Sequence, residues 1–319
     1  MCTSPIDMHV NKDIEKERDK RTFLVPCRKC GECRNKRSKD WAFRLEHQAK
    51  VSDRVDFITL TYETERLRGS ENGFPVLYPR DVTLFLKKLR IEIARNTDKY
   101  YDKEPKPIKY YICGEYGEKR GRPHYHAIIY NLPNDYIKRF RLVQKSWEHG
   151  MVWLDKKIIS AGAFNYVTGY VHKHSPTYKK AKHVRLEDDR YYVQPEAVDE
   201  ETGEIRYYTM KKEYREFNRQ SFHLGLNYIT PGILKYHKEK KSTYVEAGNK
   251  SYVVPSYYHK YIWTEIEMEK VRYNSQKHQD KIFKEKFNDN FTNLYTWRKE
   301  KQKQYLEKLK VKNRSGIFE

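Results

Sequence analysis

Two histidines separated by one residue, His124 and His126, are the side chains of this sequence best suited to chemistry. They follow a turn at Gly121-Arg122-Pro123 and begin an apolar run that continues to Tyr130. A strand projects residues i and i+2 from the same face, so both imidazoles should point to one place while Tyr125 points away. Two neighbouring neutral imidazoles supply half of the ligands of a divalent metal ion. Such pairs also occur as packed structural residues, so a metal role depends on what the fold brings near them.

A carboxylate is the third candidate ligand. Glu115 stands in Cys113-Gly114-Glu115-Tyr116-Gly117, nine residues before His124, and the two segments are predicted to form a hairpin. Residues opposite each other in an antiparallel pair have neighbouring side chains, so Glu115 should lie nearly across from His124. One carboxylate and two imidazoles with open coordination positions suit Mg²⁺ or Mn²⁺ recruited to a phosphate.

A predicted helix over residues 161–174 carries two tyrosines and a lysine. At about 100° per residue, Tyr166, Tyr170 and Lys173 fall within roughly 60° of arc. A neighbouring ammonium and a metal-polarised phosphate would favour the phenolate, which is a nucleophile, and stabilise charge in the transition state. Tyrosines four residues apart also simply pack, and the chain has 28 tyrosines, so the spacing alone leaves both interpretations open.

Three closely spaced cysteines, Cys27, Cys30 and Cys33, suggest a second metal. They could bind a structural Zn²⁺ together with a fourth ligand such as His47 or Cys113. Without a clear fourth ligand the set is incomplete, and the alternative is that the following helix needs small buried residues there. In either case the basic residues around the cysteines are candidate DNA contacts: Arg28, Lys29, Arg34, Lys36 and Arg37.

Composition indicates a polyanionic partner. The 319 residues include 65 Lys and Arg against 44 Asp and Glu, for a formal net charge of +21. Nucleic acid is the simplest partner for that excess, with a very soluble basic protein as the alternative. Aromatic residues make up 14% of the chain and are interleaved with basic ones, which suits stacking on unpaired bases. No apolar run reaches the roughly 20 residues of a membrane span, and no signal peptide is apparent, so we expect no membrane association. The five cysteines, three of them clustered, fit a reducing cytoplasm, and with nucleic acid as the expected partner we expect no small-molecule substrate.

The elements that must position these residues follow the order β-α-β-β-α-β. They are predicted over residues 55–62, 79–96, 109–115, 124–130, 133–147 and 151–154, after a basic helix over 34–51. This order predicts an α+β fold of the ferredoxin-like, split βαβ type, an antiparallel sheet with helices on one face.

Four regions are expected along the chain. Residues 1–54 form an N-terminal basic arm with the cysteines and the helix, and residues 1–26 are predicted to be irregular. Residues 55–175 form the core, and residues 176–234 form a charged insertion, with a surface hairpin or mobile segment around Gly203, and a return to the core. Residues 235–319 are predicted to be basic and largely helical.

Taken together, the motifs resemble those of the HUH endonucleases. The strand Phe57–Tyr62, the His124/His126 strand and the tyrosine helix occur in that family's order. The cysteine cluster before Trp41-Ala42-Phe43-Arg44-Leu45 looks most like the rolling-circle replication initiators of small single-stranded DNA phages, the Microviridae of gokushovirus type. The resemblance covers about residues 24–175, and less securely 221–229. It departs from the family at Arg28, where a glycine is usual, and at Gly169, where a basic residue is frequent.

The resemblance implies a complete activity. His124, His126 and Glu115 would hold Mg²⁺ or Mn²⁺ on a scissile phosphate. One tyrosine would cut single-stranded origin DNA and stay linked to its 5′ end, and the other would act at termination. Arg122 is a further candidate DNA contact, and host replication machinery is a candidate partner. An HUH transposase or relaxase is the first alternative, and a non-enzymatic single-strand binding protein is the second.

Overall fold

The computed structural model describes residues 2, 6–9, 22–28, 30–70, 75–117, 122–155, 164, 168–169, 186–187, 190–198, 205–209, 214–247, 250–272, 274, 296 and 300. These residues belong to two compact units, one formed by Met1–Trp41 with Tyr228–Glu319 and the other by Ala42–Asn227. Among the residues singled out above, Lys29, Tyr166, Tyr170 and Lys173 lie outside the described residues. The division of the chain into regions 1–54, 55–175, 176–234 and 235–319 remains a prediction.

From Val55 to Leu154 the strands and helices follow the predicted order β-α-β-β-α-β, with one short additional helix after the first. The strands are β1 (Ile6–His9), β2 (Thr22–Val25), β3 (Val55–Thr61), β4 (Lys109–Tyr116), β5 (Pro123–Tyr130), β6 (Val152–Leu154), β7 (Leu186–Glu187), β8 (Arg190–Val198), β9 (Ile205–Thr209), β10 (Phe217–Gln220), β11 (Tyr244–Ala247) and β12 (Lys250–Val253). The helices are α1 (Gly31–Lys50), α2 (Pro79–Arg95), α3 (Thr97–Tyr100), α4 (Tyr136–Ser146), α5 (Pro231–Lys240) and α6 (His259–Ile262), with short 3₁₀ turns at Thr64–Arg66, Leu226–Tyr228 and Ser256–Tyr258.

A five-stranded antiparallel sheet is the centre of the second unit. Its strand order is β10-β4-β5-β3-β6. The four strands β4-β5-β3-β6 and the helices α2 and α4 reproduce the ferredoxin-like arrangement, so the predicted α+β fold is confirmed. Strand β10 extends the sheet beyond β4, with Phe217 opposite Gly114.

One face of this sheet packs against α2 and α4. Alternate residues of the central strands, including Ile58, Leu60 and Ala127, are completely buried there. They meet an apolar stripe of α2 at helical spacing, Val82, Phe85, Leu86, Leu89 and Ile93, together with Leu142 and Val143 of α4. Burial of this stripe fixes which residues of β3, β4 and β5 face the helices and which face the other side.

The opposite face of the sheet contacts the second half of α1 at the end where β5 finishes. The hydroxyl of Tyr130, the last residue of β5, donates to the carbonyl of Leu45 at 2.9 Å. Arg44 Nε donates to the Leu224 carbonyl, and the backbone N–H of Gly225 donates to Gln48 Oε1, so the second half of α1 is tied to the segment after β10. The end of this face that carries His124 lies at the start of β5.

The first unit contains a hairpin that the sequence did not predict. Residues 1–26 were expected to be irregular, but β1 and β2 pair antiparallel with Ile6 opposite Val25. The segment has few alternating apolar residues, and the pairing partners are far apart in sequence, which is why the pattern gave no signal. Between residues 186 and 209, β8 pairs antiparallel with β9, which is the arrangement expected of the hairpin alternative, and the predicted turn at Gly203 lies outside the described residues.

Candidate metal centre

Three neighbouring strands place the candidate ligands on one sheet face. On β4 and β5, Glu115 stands directly opposite His124. On β3, Thr59 stands directly opposite His126. Because residues paired across strands share a face, all four side chains lie on the face away from α2 and α4.

The three donor atoms converge. Glu115 Oε1 is 3.0 Å from His124 Nε2 and 3.2 Å from His126 Nε2. Adjacent ligands of an octahedral ion with bonds of about 2.1 Å are separated by about 3.0 Å. The separations and the donor types therefore fit one set of neighbouring ligands around Mg²⁺ or Mn²⁺, with the remaining positions open.

Each histidine is held by its other ring nitrogen. His124 Nδ1 donates to the carbonyl of Arg122 at 3.1 Å, because a carbonyl can only accept. His126 Nδ1 lies 3.0 Å from the hydroxyl of Thr59. The proton that His124 donates from Nδ1 allows its Nε2 to carry the lone pair that a metal ligand needs once the ion replaces the contact with Glu115. The Thr59 hydroxyl can donate or accept, so it orients the ring of His126 without fixing the tautomer.

Glu115 is stabilised in its charged, carboxylate form. Burial alone would raise the pKa of Glu115, but the hydrogen bonds to His124 and His126, and their charge when protonated, outweigh burial and lower that pKa to about 2. Glu115 and His126 are each 8% exposed, whereas His124 is half-buried. Glu115 thus contributes a charged oxygen and the two histidines contribute ring nitrogens, and His124 is the most exposed of the three residues.

Tyr125, between the two histidines, takes part in a different network on the helix side. Its hydroxyl lies 2.9 Å from the Tyr62 hydroxyl, which in turn donates to Asp81 at 2.9 Å. Asp81 is held by two bonds from Arg68. The alternation of β5 thus anchors the middle residue in the core and leaves its neighbours for a ligand.

Two aromatic residues, Phe57 and Trp153, lie on the same sheet face as the candidate metal ligands. Phe57 stacks against His126 with ring centroids 5.5 Å apart, and Trp153 meets the edge of Phe57 at 6.0 Å. Trp153 is opposite Thr59 on β6 and is 56% exposed. Sequence reasoning missed both residues and Thr59, although two-residue spacing from Phe57 to Thr59 already placed those two on one face.

The predicted nucleophiles, Tyr166 and Tyr170, and the accompanying Lys173 lie outside the described residues. Within that predicted helix, Phe164, Thr168 and Gly169 are described and helical, and the Thr168 hydroxyl donates to the Phe164 carbonyl at 2.8 Å. Phe164 and Thr168 are buried.

The candidate DNA contacts differ in exposure. Arg28, Lys36 and Arg37 are exposed and Arg34 is half-buried. Arg122 donates to the Tyr62 carbonyl at 2.5 Å, so its guanidinium is already engaged by the protein.

The cysteine cluster has a fourth member that the sequence did not suggest. Cys2 lies with Cys27, Cys30 and Cys33, and their sulfur atoms are all within 4.8 Å of one another. The suggested fourth ligands bind elsewhere: His47 Nδ1 lies 2.8 Å from the Phe43 carbonyl and Cys113 donates to the His126 carbonyl.

Comparison with known proteins finds similarity to replication-associated proteins of phages. Residues 55–175, the segment that contains β3 to β6, match the family model of the replication-associated protein ORF2. The chain is 30% identical to replication-associated protein VP4 of Bdellovibrio phage phiMH2K over 52% of its length, and 31% identical to replication-associated protein ORF2 of Spiroplasma virus 4 over 73%. It is 32% identical to replication-associated protein ORF4 of Chlamydia phage 1 over 48% of its length. The chain belongs to this family of phage replication-associated proteins.

The matches cover part of each relative: 53% of the Bdellovibrio phage protein, 66% of the Spiroplasma virus protein and 39% of the Chlamydia phage protein. No solved structure matches the chain. Within the described part of the chain, no helix is both long and apolar enough to cross a membrane.

Proposed function

We propose that this protein cuts and rejoins single-stranded DNA at a phage replication origin, and so initiates and terminates rolling-circle replication. The observation that carries the proposal is the convergence of His124 Nε2 and His126 Nε2 on Glu115 Oε1, each within 3.2 Å of it, on the sheet face away from α2 and α4. The names of the relatives support a role in phage replication.

A bound Mg²⁺ or Mn²⁺ would polarise the scissile phosphate and offset charge in the transition state. Glu115, His124 and His126 would hold the ion, and the Arg122 carbonyl and Thr59 hydroxyl would keep the two imidazoles in the ligating orientation.

The reaction conserves the energy of the cut bond. The phenolate oxygen of Tyr166 or Tyr170 attacks the phosphorus, the bond from phosphorus to the 3′ oxygen breaks, and that oxygen takes up a proton to become a primer. Lys173, on the same predicted helix face, favours the phenolate. Joining runs in reverse, since a 3′ hydroxyl attacks the phosphotyrosine and the tyrosine leaves. No nucleotide cofactor is needed.

The net positive charge of the protein and its exposed aromatic rings would bind the single-stranded DNA. The net charge of +21 favours the DNA backbone, and Trp153 beside Phe57 offers an exposed ring on which a base can stack next to the metal group. Origin DNA is thus the proposed substrate, in the cytoplasm of the host, with host replication machinery as a proposed partner.

The test uses the full chain, Mn²⁺ and a tiled set of single-stranded oligonucleotides from the phage's own genome, labelled at the 3′ end. A denaturing gel should show a labelled fragment joined to protein, because the tyrosine stays on the 5′ phosphate of the downstream piece. Mass mapping of the linked peptide should identify Tyr166 or Tyr170. Absence of any adduct across the genome would overturn the proposal and favour a binding protein without nuclease activity.

Matched variants separate the roles. His124→Ala and His126→Ala should lose the adduct and keep salt-sensitive DNA binding. Tyr166→Phe and Tyr170→Phe should each retain some single cleavage, and the double variant should have none. An adduct that survives in the double variant would refute the assignment of the nucleophiles.

A further inference from the structure

Four cysteines meet at the base of the N-terminal hairpin. The pairing of Ile6 with Val25 brings the chain ends flanking β1 and β2 together, so Cys2, just before β1, lies beside Cys27, just after β2. Cys30 closes the turn that follows, and Cys33 stands in the first turn of α1. Three separate segments thus contribute one cluster.

The distances fit ligands around one ion. Cys2 Sγ is 3.5 Å from Cys27 Sγ and 3.6 Å from Cys30 Sγ. A disulfide would bring two sulfur atoms to about 2.0 Å. Four thiolates at about 2.3 Å from a tetrahedral Zn²⁺ are separated from one another by about 3.8 Å. These separations, with all four sulfur atoms within 4.8 Å of one another, match tetrahedral ligands, and the four cysteines are free thiols in the structure.

The backbone around the cluster is shaped for thiolates. The N–H of Cys27 points to Cys2 Sγ at 3.3 Å, and the N–H of Cys30 points to Cys27 Sγ at 3.2 Å. Such donors stabilise negative sulfur. Arg28, inside the turn, has a φ of 58°, in the left-handed region that lets the chain fold back between Cys27 and Cys30. Glycine would adopt that conformation without strain.

We propose that Cys2, Cys27, Cys30 and Cys33 bind one structural Zn²⁺. A closed set of four soft ligands leaves no position for substrate, so the ion would serve folding rather than chemistry. Binding would release the thiol protons with no change of oxidation state. A two-stranded hairpin of four-residue strands is marginal by itself, so the ion would be what fastens β1 and β2 to the start of α1.

The first test is elemental analysis of the full chain, purified with a reductant, without chelators, and dialysed against zinc. The expected result is about one zinc per chain, with most of it lost in Cys2→Ser and in Cys33→Ser. Cys113→Ser, which changes the remaining cysteine, and His124→Ala, in the other metal group, should both retain the zinc. Less than about half an equivalent in the wild type, or iron in place of zinc, would overturn the proposal.

Cobalt identifies the ligands even if a variant folds less well. The wild-type chain reconstituted with Co²⁺ should show thiolate charge-transfer bands and the ligand-field bands of a tetrahedral tetrathiolate. In Cys2→Ser these bands should shift and weaken, because one sulfur is replaced by oxygen. An unchanged cobalt spectrum in Cys2→Ser, with Cys113→Ser as the reference, would exclude Cys2 as the fourth ligand.

Discussion

The hydroxyl of Thr59 lies 3.0 Å from Nδ1 of His126, directly across the pair of strands β3 and β5. Thr59 contacts the ring nitrogen of His126 that does not face Glu115, and this contact bears on which nitrogen of His126 carries the proton. Partners of this kind commonly change metal affinity by 10-fold to 100-fold when they are removed. Thr59 is therefore a positioning residue of the candidate metal centre.

Thr59→Val should raise the Mn²⁺ concentration needed for half-maximal cleavage by about 10-fold, since the valine has the same shape but no oxygen. Cleavage at saturating Mn²⁺ should largely recover, and Thr59→Ser should resemble the wild type. Thr61→Val is the control: Thr61 is on the same strand and opposite His124, but its hydroxyl donates to the Met151 carbonyl. An equal shift in both valine variants would mean that the strand, rather than the hydroxyl, is responsible.

Gly114 leaves room for three side chains that pack beside it. A Cβ at this position would lie 2.9 Å from Phe217 Cε1 and 3.0 Å from both Leu77 Cδ2 and Tyr125 Cε1. Gly114→Ala should therefore lower the free energy of unfolding by about 1–3 kcal/mol through overpacking. Denaturant titration of the full chain measures this change.

The same substitution at Gly169 is the matched control. A Cβ there meets no atom within 4 Å, and the residue is helical. Gly169→Ala should raise the free energy of unfolding by up to about 1 kcal/mol, because alanine is the better helix former. Destabilisation by both substitutions would contradict the close-packing argument for Gly114.

Trp153 should contribute to DNA affinity without contributing to metal binding. Trp153→Ala should weaken binding of a single-stranded oligonucleotide by about 1–3 kcal/mol, the usual value of one stacked base. Trp153→Phe should retain part of the affinity. Met151→Ala removes a neighbouring side chain that is 72% exposed, and it should leave the fluorescence-anisotropy titration unchanged. A loss in Met151→Ala as large as in Trp153→Ala would show that stacking is not the cause.

His237 makes the stability of the first unit depend on pH. Its Nδ1 donates to the Ser242 carbonyl at 2.9 Å and its Nε2 lies 2.8 Å from the Tyr228 hydroxyl. Burial lowers the pKa of His237 below its ordinary value of 6.5, although the bond to Ser242 opposes this. The unfolded chain therefore takes up a proton first as the pH falls. The stabilisation is complete above pH 6.5 and is lost as the pH falls through and below that value.

Denaturant unfolding at a series of pH values checks this expectation. The histidines His47, His149 and His259 also have pKa values lowered by burial, so the wild type should lose stability over the same range. His237→Gln should make the decline shallower, whereas replacement of the exposed His223 by Asn should not. An unchanged slope in His237→Gln would show that folding does not lower the pKa of His237.

The local part of the site was predictable from sequence. The alternation of β5 and the nine-residue spacing between Glu115 and His124 are properties of one hairpin, so the pattern was enough to bring them together. The partners that arrive from distant segments were not predictable. Thr59 reaches His126 through a strand pairing across 67 residues, and Cys2 reaches Cys27 through a hairpin with little apolar alternation. Strand β10, Phe217–Gln220, is mostly polar because it lies at the edge of the sheet.

His124 and His126 point to one face of β5, and Tyr125 points to the other face, into the core. The strand register that buries Tyr125 therefore also places the two candidate metal ligands. If β5 paired one residue out of register, both imidazoles would enter the core and the Tyr125 hydroxyl would leave its bond with Tyr62. Such a chain would lose the buried layer that holds α2 and α4 in place, so it could not accumulate as a stable but inactive form. The register that buries Tyr125 in the core is therefore the same register that brings Glu115, His124 and His126 together.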